Sequence, residues 1–385
     1  MLNKFARYWA LPNALAFRGC FARRLKAAMA MGHTLPFLWV WIIDNGSWIW
    51  YKGQMKEDGM FRSIIVLTIA GFMCCGVAHA DLPCQPSREG QSGFTKSTST
   101  IQLPSELDEI SGMALSRTNP DYIWAHVDSD GKPELYVLDK SGNLIHTYTI
   151  EGLKNTDWED IAVGPCSRQS PKSCLYIGDT GDNRFKRTNK KIIVVEEPVL
   201  TKDMIPNAQP VPLKAKAAYP VIFPDTNETE LRFANPDCES LMVHPTTAEI
   251  YLISKQTGGV AASLYRVPRK GEDARLEKLA THVFKGGLGN LFPLYNAVTG
   301  ADFAPDGKRF AIRTYAMIYE FDLEAHPDVA KAFVHPHPQF ESLEIQGESV
   351  AYDSDGVSLI TSGERFTSSH ASMHLFECNR SESTH

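Results

Sequence analysis

From about residue 100 onward, apolar and polar residues alternate in short bursts separated by turn residues. Period-two alternation puts one face of an extended segment into a core, so the pattern predicts β-strands. Five bursts share one design: Ser111-Gly-Met-Ala-Leu, Glu159-Asp-Ile-Ala-Val, Glu239-Ser-Leu-Met-Val, Thr299-Gly-Ala-Asp-Phe and Glu348-Ser-Val-Ala-Tyr. Each opens on an oxygen-bearing side chain and places apolar residues two and four positions later. A second strand follows each one, at 122–126, 175–179, 250–254, 309–313 and 357–361, after turns such as Pro305-Asp-Gly and Asp355-Gly. Third strands read at 135–139, 192–195, 263–267, 317–321 and 373–376, and weaker fourth strands at 146–150, 218–223 and 282–284.

The opening residues are 48, 80, 60 and 49 positions apart. A four-stranded antiparallel blade takes about 40–50 residues. The pattern therefore predicts an all-β, five-bladed β-propeller over 97–380, with six blades as the alternative count. The long interval holds one blade plus an insertion around 206–212 and 225–236. The last repeat lacks a fourth strand, and residues 97–103 (STSTIQL) can supply it, closing the ring with the N-terminal strand. Residues 81–96 read as a linker and 324–333 as a short helix.

The front of the chain has a different pattern. Residues 60–80, MFRSIIVLTIAGFMCCGVAHA, show a basic start, an apolar run and an Ala-His-Ala end, the order of a cleaved secretory signal. The apolar run is shorter than the ~20 residues of a spanning helix. Residues 1–59 then read as an unstructured extension upstream of a start at Met60 or Met55, with a membrane-anchored arm as the rival. The expected location is periplasmic or secreted, with no membrane contact after cleavage. Five cysteines remain after residue 80. An oxidising compartment allows disulfides. Cys166 and Cys174 flank a turn and are expected to pair; Cys84 and Cys378 lie at the two ends a closed ring would bring together.

Charge narrows the function. Residues 1–80 hold nine of 39 basic and three of 45 acidic residues, leaving 30 basic against 42 acidic in the body, formally −12. An acidic body excludes sequence-independent nucleic-acid binding, which needs basic residues against phosphate. It suits a divalent cation. In a propeller the first strand of each blade lines the channel, so Ser111, Glu159, Glu239, Thr299 and Glu348 are expected on the axis. A set of oxygen donors without His or Cys suits Ca²⁺ rather than Zn²⁺.

The second strands end at the same channel face. They bring a second polar array: His126, Asp128, the run Gly178-Asp-Thr-Gly-Asp-Asn-Arg, Lys255, Arg313, Tyr315 and Glu364. In a hydrolase reading, Asp179 or Asp182 activates water. His126, Asp128, Asn183, Arg184, Lys255, Arg313, Tyr315 and Glu364 then hold a small anionic substrate such as a phosphate ester, nucleotide or lactone. In the alternative reading the ring is a monomeric binding or scaffold module for a small ligand or a protein, with structural calcium. The chain contains no G-x-S-x-G elbow, H-E-x-x-H or dinucleotide fingerprint.

Glu109-Ile-Ser-Gly-Met-Ala, Leu135-Tyr-Val-Leu-Asp-Lys-Ser-Gly and Asp157-Trp-Glu-Asp-Ile-Ala resemble the bacterial calcium-binding propellers called SdiA-regulated proteins. The Ser, Glu, Glu, Thr, Glu order also resembles the central calcium ligands of five-bladed calcium-activated nucleotidases (soluble apyrases), which mainly use Ser where Thr299 stands. The resemblance covers roughly residues 97–378 and implies a five-bladed ring with axial calcium. It carries over no substrate, because the nucleotidases' wider pattern is not evident.

Overall fold

The computed structural model describes 38–44 and 47–53 by backbone, together with 84, 93–96 and 100–378 except 130, 208, 226, 228, 269–273, 342–343, 345 and 366–369. The expected signal segment 60–80 lies outside the described residues. The chain divides into two units, Met1–Ala78 and His79–His385. In the first, Leu38–Asp44 pairs antiparallel with Ser47–Gly53, so a hairpin stands within the stretch expected to be unstructured. Among the described residues no helix is long and apolar enough to cross a membrane.

The second unit is a five-bladed β-propeller. Blade 1 runs Ile110–Leu115, Tyr122–Val127, Glu134–Asp139 and Leu144–Ile150 from axis to rim. Blade 2 runs Trp158–Pro165, Ser173–Asp179, Lys191–Glu196 and Ala215–Pro220. Blade 3 runs Cys238–Val243, Ile250–Ser254, Ala262–Arg266 and Glu277–His282. Blade 4 runs Val298–Phe303, Arg309–Thr314, Met317–Asp322 and His337–Glu341. Blade 5 runs Gly347–Tyr352, Leu359–Gly363 and Ser372–Cys378.

The alternation supplies each blade with apolar side chains on both faces, and these meet between blades. Five buried apolar clusters result, one per junction. Trp124, Val137 and Ile161 fill the junction of blades 1 and 2, and Tyr176, Leu241 and Leu252 that of blades 2 and 3. Phe303, Phe310 and Phe321 help fill the junction of blades 3 and 4. Cys84, Ala311 and Tyr352 lie between blades 4 and 5. Ile123, Ile360 and Met373 join blade 5 back to blade 1. Five junctions for five blades close the ring face to face, and radial repetition leaves only short strand edges at its rim.

Ring closure uses more of the N-terminal segment than expected. Ile101–Gln102 pairs with the third strand of blade 5, and so does Phe94–Lys96 from within the expected linker. Cys84 is bonded to Cys378 and Cys166 to Cys174, and Cys238 is a buried free thiol. The insertion in blade 2 has a use: Val211–Leu213 reaches back as a parallel fifth strand on the rim of blade 1. The histidine-proline segment near 335–338, which reads as an extended connector, opens the fourth strand of blade 4. The short helix is confined to Val329–Phe333, and Asp328 caps it by accepting from the Lys331 N–H. At the Asp-Gly turns of blades 4 and 5, Gly307 and Gly356 have φ of 71° and 70°, a conformation that favours glycine.

A disulfide that spans more chain removes more freedom from the unfolded state. Cys84–Cys378 spans 294 residues and Cys166–Cys174 spans 8. Replacing Cys84 and Cys378 by Ser is expected to cost about 2–4 kcal/mol, more than the same change at Cys166 and Cys174. Urea unfolding of the two double variants checks this ranking; equal losses would contradict it.

Candidate cation centre at the channel mouth

The five opening residues share one backbone feature. In every blade the register between first and second strand shifts at that residue. The pairing jumps from Ile110 to Met113, from Cys238 to Ser240, from Val298 to Gly300 and from Gly347 to Ser349. In blade 2, Trp158 and Asp160 are paired and Glu159 is passed over. Ser111, Glu159, Glu239, Thr299 and Glu348 are therefore all left out of the ladder. A bulge re-aims the side chain it carries, and here it does so five times at the same level of the ring.

Polar side chains stitch neighbouring first strands together at this level. Ser111 Oγ donates to the Glu159 carbonyl at 2.5 Å, and Thr299 Oγ1 to the Gly347 carbonyl at 2.7 Å. Asp160 accepts from the Leu241 N–H at 2.8 Å, and Asp302 from the Tyr352 N–H at 2.9 Å. Both hydroxyls spend their proton on the neighbour and keep lone pairs to offer.

The glutamates gather further carboxylates. Carboxylate oxygens of Glu159, Asp237 and Glu239 lie within 4.8 Å of one another, and so do those of Asp128, Asp157 and Glu159. Glu159 is 5% exposed and, among the described residues, its carboxylate has no hydrogen-bond or ion-pair partner. Burial, then Glu239, Asp128 and Asp237, push its pKa well above the ordinary range. Burial raises Glu239 against the pull of Lys255, with Asp237 and Glu348 adding to the rise. Burial also lifts Glu348 to about 7, against the pull of Lys255 and Arg313. Asp157 is lifted to about 6 by burial and by Asp128. Glu364 is lifted to about 8 by burial and then by Glu348 and Asp128, while Gln346 Nε2 donates to it at 2.8 Å.

Lys255 is the cation of this cluster. Its Nζ lies 2.5 Å from Glu239 Oε1 and 5.2 Å from the centre of the Tyr315 ring. Burial would lower its pKa, but Glu239, Tyr315, Glu348 and Glu159 outweigh burial and raise it.

The rest of the expected substrate array is distributed differently. His126 is fully buried, its ring edge-on to Trp158 at 5.7 Å, and burial lowers it to about 4. It packs beneath Gly112, where a Cβ would stand 2.3 Å from its Nε2. Its place is thus in the blade 1–2 junction as a neutral packing group. Arg313 is also fully buried: it meets Glu344 at 2.5 Å and donates to the carbonyls of Ser349 and Ser362, so it clamps blades 4 and 5 and does not face a ligand. Asn183 and Arg184 are exposed on the loop beyond Asp182.

Asp179 and Asp182, the expected water-activating groups, are held by cations. Arg187 Nη2 lies 2.6 Å from Asp179, and Lys191 Nζ 3.6 Å away. Asp182 faces Lys190 at 3.1 Å and accepts from the Arg187 N–H at 2.7 Å. Burial would raise Asp182, but N–H donation from Lys186 and Arg187 and the Lys190 ammonium hold it below the usual carboxylate range. In this state the two residues brace the loop around Gly181.

Gly181 shapes the centre directly. A Cβ there would stand 1.8 Å from Glu159 Oε1 and 2.6 Å from Asp157 Oδ2. Gly181→Ala is therefore expected to push these carboxylates apart and weaken cation binding about tenfold, a difference of roughly 1.4 kcal/mol, while the ring stays folded. Calcium titration beside a thermal melt checks this; unchanged affinity would contradict it.

Asp157 and Asp237 join the candidate centre without having been singled out from the sequence. Each stands two positions before a channel glutamate, in Asp157-Trp-Glu and Asp237-Cys-Glu. Two-residue spacing is the one signal in the sequence, but the bulge at each glutamate breaks regular alternation, so the fold decides which side chains meet.

The donor set tests well for a hard cation: every ligand atom is a carboxylate or hydroxyl oxygen, and the buried acids outnumber the one lysine among them. Ca²⁺ takes about six to eight oxygens at about 2.3–2.6 Å. Two oxygens on one such ion lie at most about 5 Å apart, which the 4.8 Å spacing satisfies.

Comparison with known proteins adds little beyond this geometry. No family model matches the chain, and no curated protein matches it. Among solved structures, a candidate 6-phosphogluconolactonase from Bacteroides uniformis aligns over 89% of this chain and 78% of its own, at 12% identity and a TM-score of 0.33. That likeness is too weak to carry an argument about function.

Proposed function

We propose that this protein is an exported calcium-binding propeller whose channel-mouth centre hydrolyses a small oxygen-rich substrate, a phosphate ester, nucleotide or lactone. The observation that carries the reading is the unpartnered, buried carboxylate of Glu159 between the acids of blades 2 and 3. Burial and crowding hold this acid protonated in the empty site, and a bound cation would offset the cost of ionising it there. Glu159, Asp237 and Glu239 would hold the cation, with Ser111, Thr299 and Glu348 at the same level of the ring. Bound Ca²⁺ supplies a Lewis acid for a phosphoryl or carbonyl oxygen. Export is supported by the two disulfides, which persist in oxidising compartments.

The chain's own groups divide the proton work. Asp157, at about 6, is ionised at neutral pH and can take a proton from water. Glu364, at about 8, is protonated there and can donate to a leaving group. Lys255 and Tyr315 close one wall. A non-catalytic binding module is the second reading, favoured by the ion pairs that occupy Asp179 and Asp182. Turnover of phosphate esters, nucleotides and lactones, with calcium and with chelator, separates the two. Calcium-dependent turnover lost in Asp157→Asn supports the hydrolase. No turnover by calcium-loaded protein leaves the binding module.

The raised carboxylates set the pH dependence. Between about 5 and 8, Asp157 and Glu348, beside the cation-holding acids, lose their protons and add negative charge that attracts a cation. Calcium affinity is expected to rise at least tenfold over that window. A raised acid contributes stability that is full below its unfolded pKa and lost as pH rises through its folded pKa. The cation-free protein is therefore expected to melt lower at pH 8 than at pH 5, with calcium removing the difference. Calorimetric scans check this; a calcium-free melt that is higher at pH 8 would contradict it.

A further inference from the structure

The carboxylates at the channel mouth fall into two sets. Glu159, Asp237 and Glu239 form the inner set, and Asp128, Asp157 and Glu159 the outer one. The five are grouped as two sets of three that share Glu159. Lys255 Nζ lies on Glu239 and neutralises the inner side. The outer set has Arg187 at 3.8 Å from Asp157, with that guanidinium engaged with Asp179 at 2.6 Å, and Lys255 acts on Asp128 and Glu159 only through space. Asp128 accepts from the Ser129 N–H, which leaves its second oxygen for a ligand. Gly181 keeps the space beside Glu159 Oε1 and Asp157 Oδ2 free of side chain.

We propose that a second divalent cation binds against Asp128, Asp157 and Glu159, with Glu159 bridging it to the cation of the inner set. The proposal rests on the calcium-binding reading above, and Glu159 is the independent pointer: it is buried, unpartnered, and the member common to both sets. A carboxylate has two oxygens and can serve two ions about 3.5–4 Å apart, the spacing of two-cation centres. Asp128 and Asp157 are only partly buried, so water can complete the outer ion's shell.

Mn²⁺ reports both stoichiometry and proximity. The chelator-stripped full chain is titrated with MnCl₂ by calorimetry, and the loaded protein is examined by electron paramagnetic resonance. Two equivalents and a spin-coupled signal are expected. Asp157→Asn should weaken the second equivalent at least tenfold and leave a single isolated-ion spectrum, and Asp128→Asn should do the same. Circular dichroism melts confirm that both variants are folded. A single equivalent unchanged by Asp157→Asn and Asp128→Asn but lost in Glu239→Gln overturns the second site and leaves the inner one standing. No Mn²⁺ uptake by wild type overturns both.

Discussion

Glu159→Gln is expected to abolish cation binding, by at least a hundredfold in affinity, and at the same time to raise the melting temperature of the cation-free protein. The first effect follows from the position of Glu159, which is common to both acid sets. The second follows from what the carboxylate costs without an ion. It is buried, lacks a partner, and is crowded by Glu239, Asp128 and Asp237. An amide removes that repulsion while keeping the shape. Relief of about 1–3 kcal/mol is the expected scale for a desolvated, uncompensated group. A site that stores strain in the empty state and releases it on binding behaves in this way. Differential scanning fluorimetry of wild type and variant, with calcium and with chelator, reads both effects. A variant that melts lower than wild type in chelator would show that Glu159 is a structural acceptor.

Arg313→Ala is expected to unfold the ring by about 3–5 kcal/mol, the scale for breaking a buried ion pair. Arg313 has no solvent exposure and joins Glu344, whose partners also include His374 and Thr361. His374 continues the network to Thr100 on the closing segment. Burial would raise Glu344, but Arg313 and His374 outweigh burial and hold it near 2. A lowered acid contributes stability above its unfolded pKa that is lost as pH falls through the folded value. The clamp should therefore persist until the pH falls from about 4 towards 2. A paired Arg313→Met/Glu344→Leu change should recover part of the loss, because neither charge is left stranded while His374 and Thr361 lose their acceptor. Urea unfolding provides the comparison. An Arg313→Ala protein as stable as wild type but weak in ligand binding would put Arg313 back in the site.

The two residues show where sequence reading succeeds and where it stops. Glu159 was legible because the repeat itself marks it: the same oxygen-bearing position recurs before the same apolar pair in five blades. The blade count, both disulfides and the closing strand were legible for the same reason, since repetition and chain ends constrain a ring strongly. Arg313 looked identical in kind to Lys255, a basic residue ending a second strand. Only the partner separates them. Lys255 meets a channel acid, and Arg313 meets Glu344, from a connector that carries no repeat pattern. His126 was misplaced by the bulge at Ser111 and Gly112, which shifts the pairing and turns the imidazole under the neighbouring strand. Alternation alone contains no record of a bulge. Asp179 and Asp182 were chosen for their loop, and the lysines and arginine that neutralise them follow within twelve residues as an apparently ordinary basic run.

A cation held at the channel mouth by blades 2 and 3 should give a peak in an anomalous difference map from crystals grown with Mn²⁺, within bonding distance of Glu159, Asp237 and Glu239. A map with no peak there, and with Lys255 still seated on Glu239, would mean that these acids hold no cation.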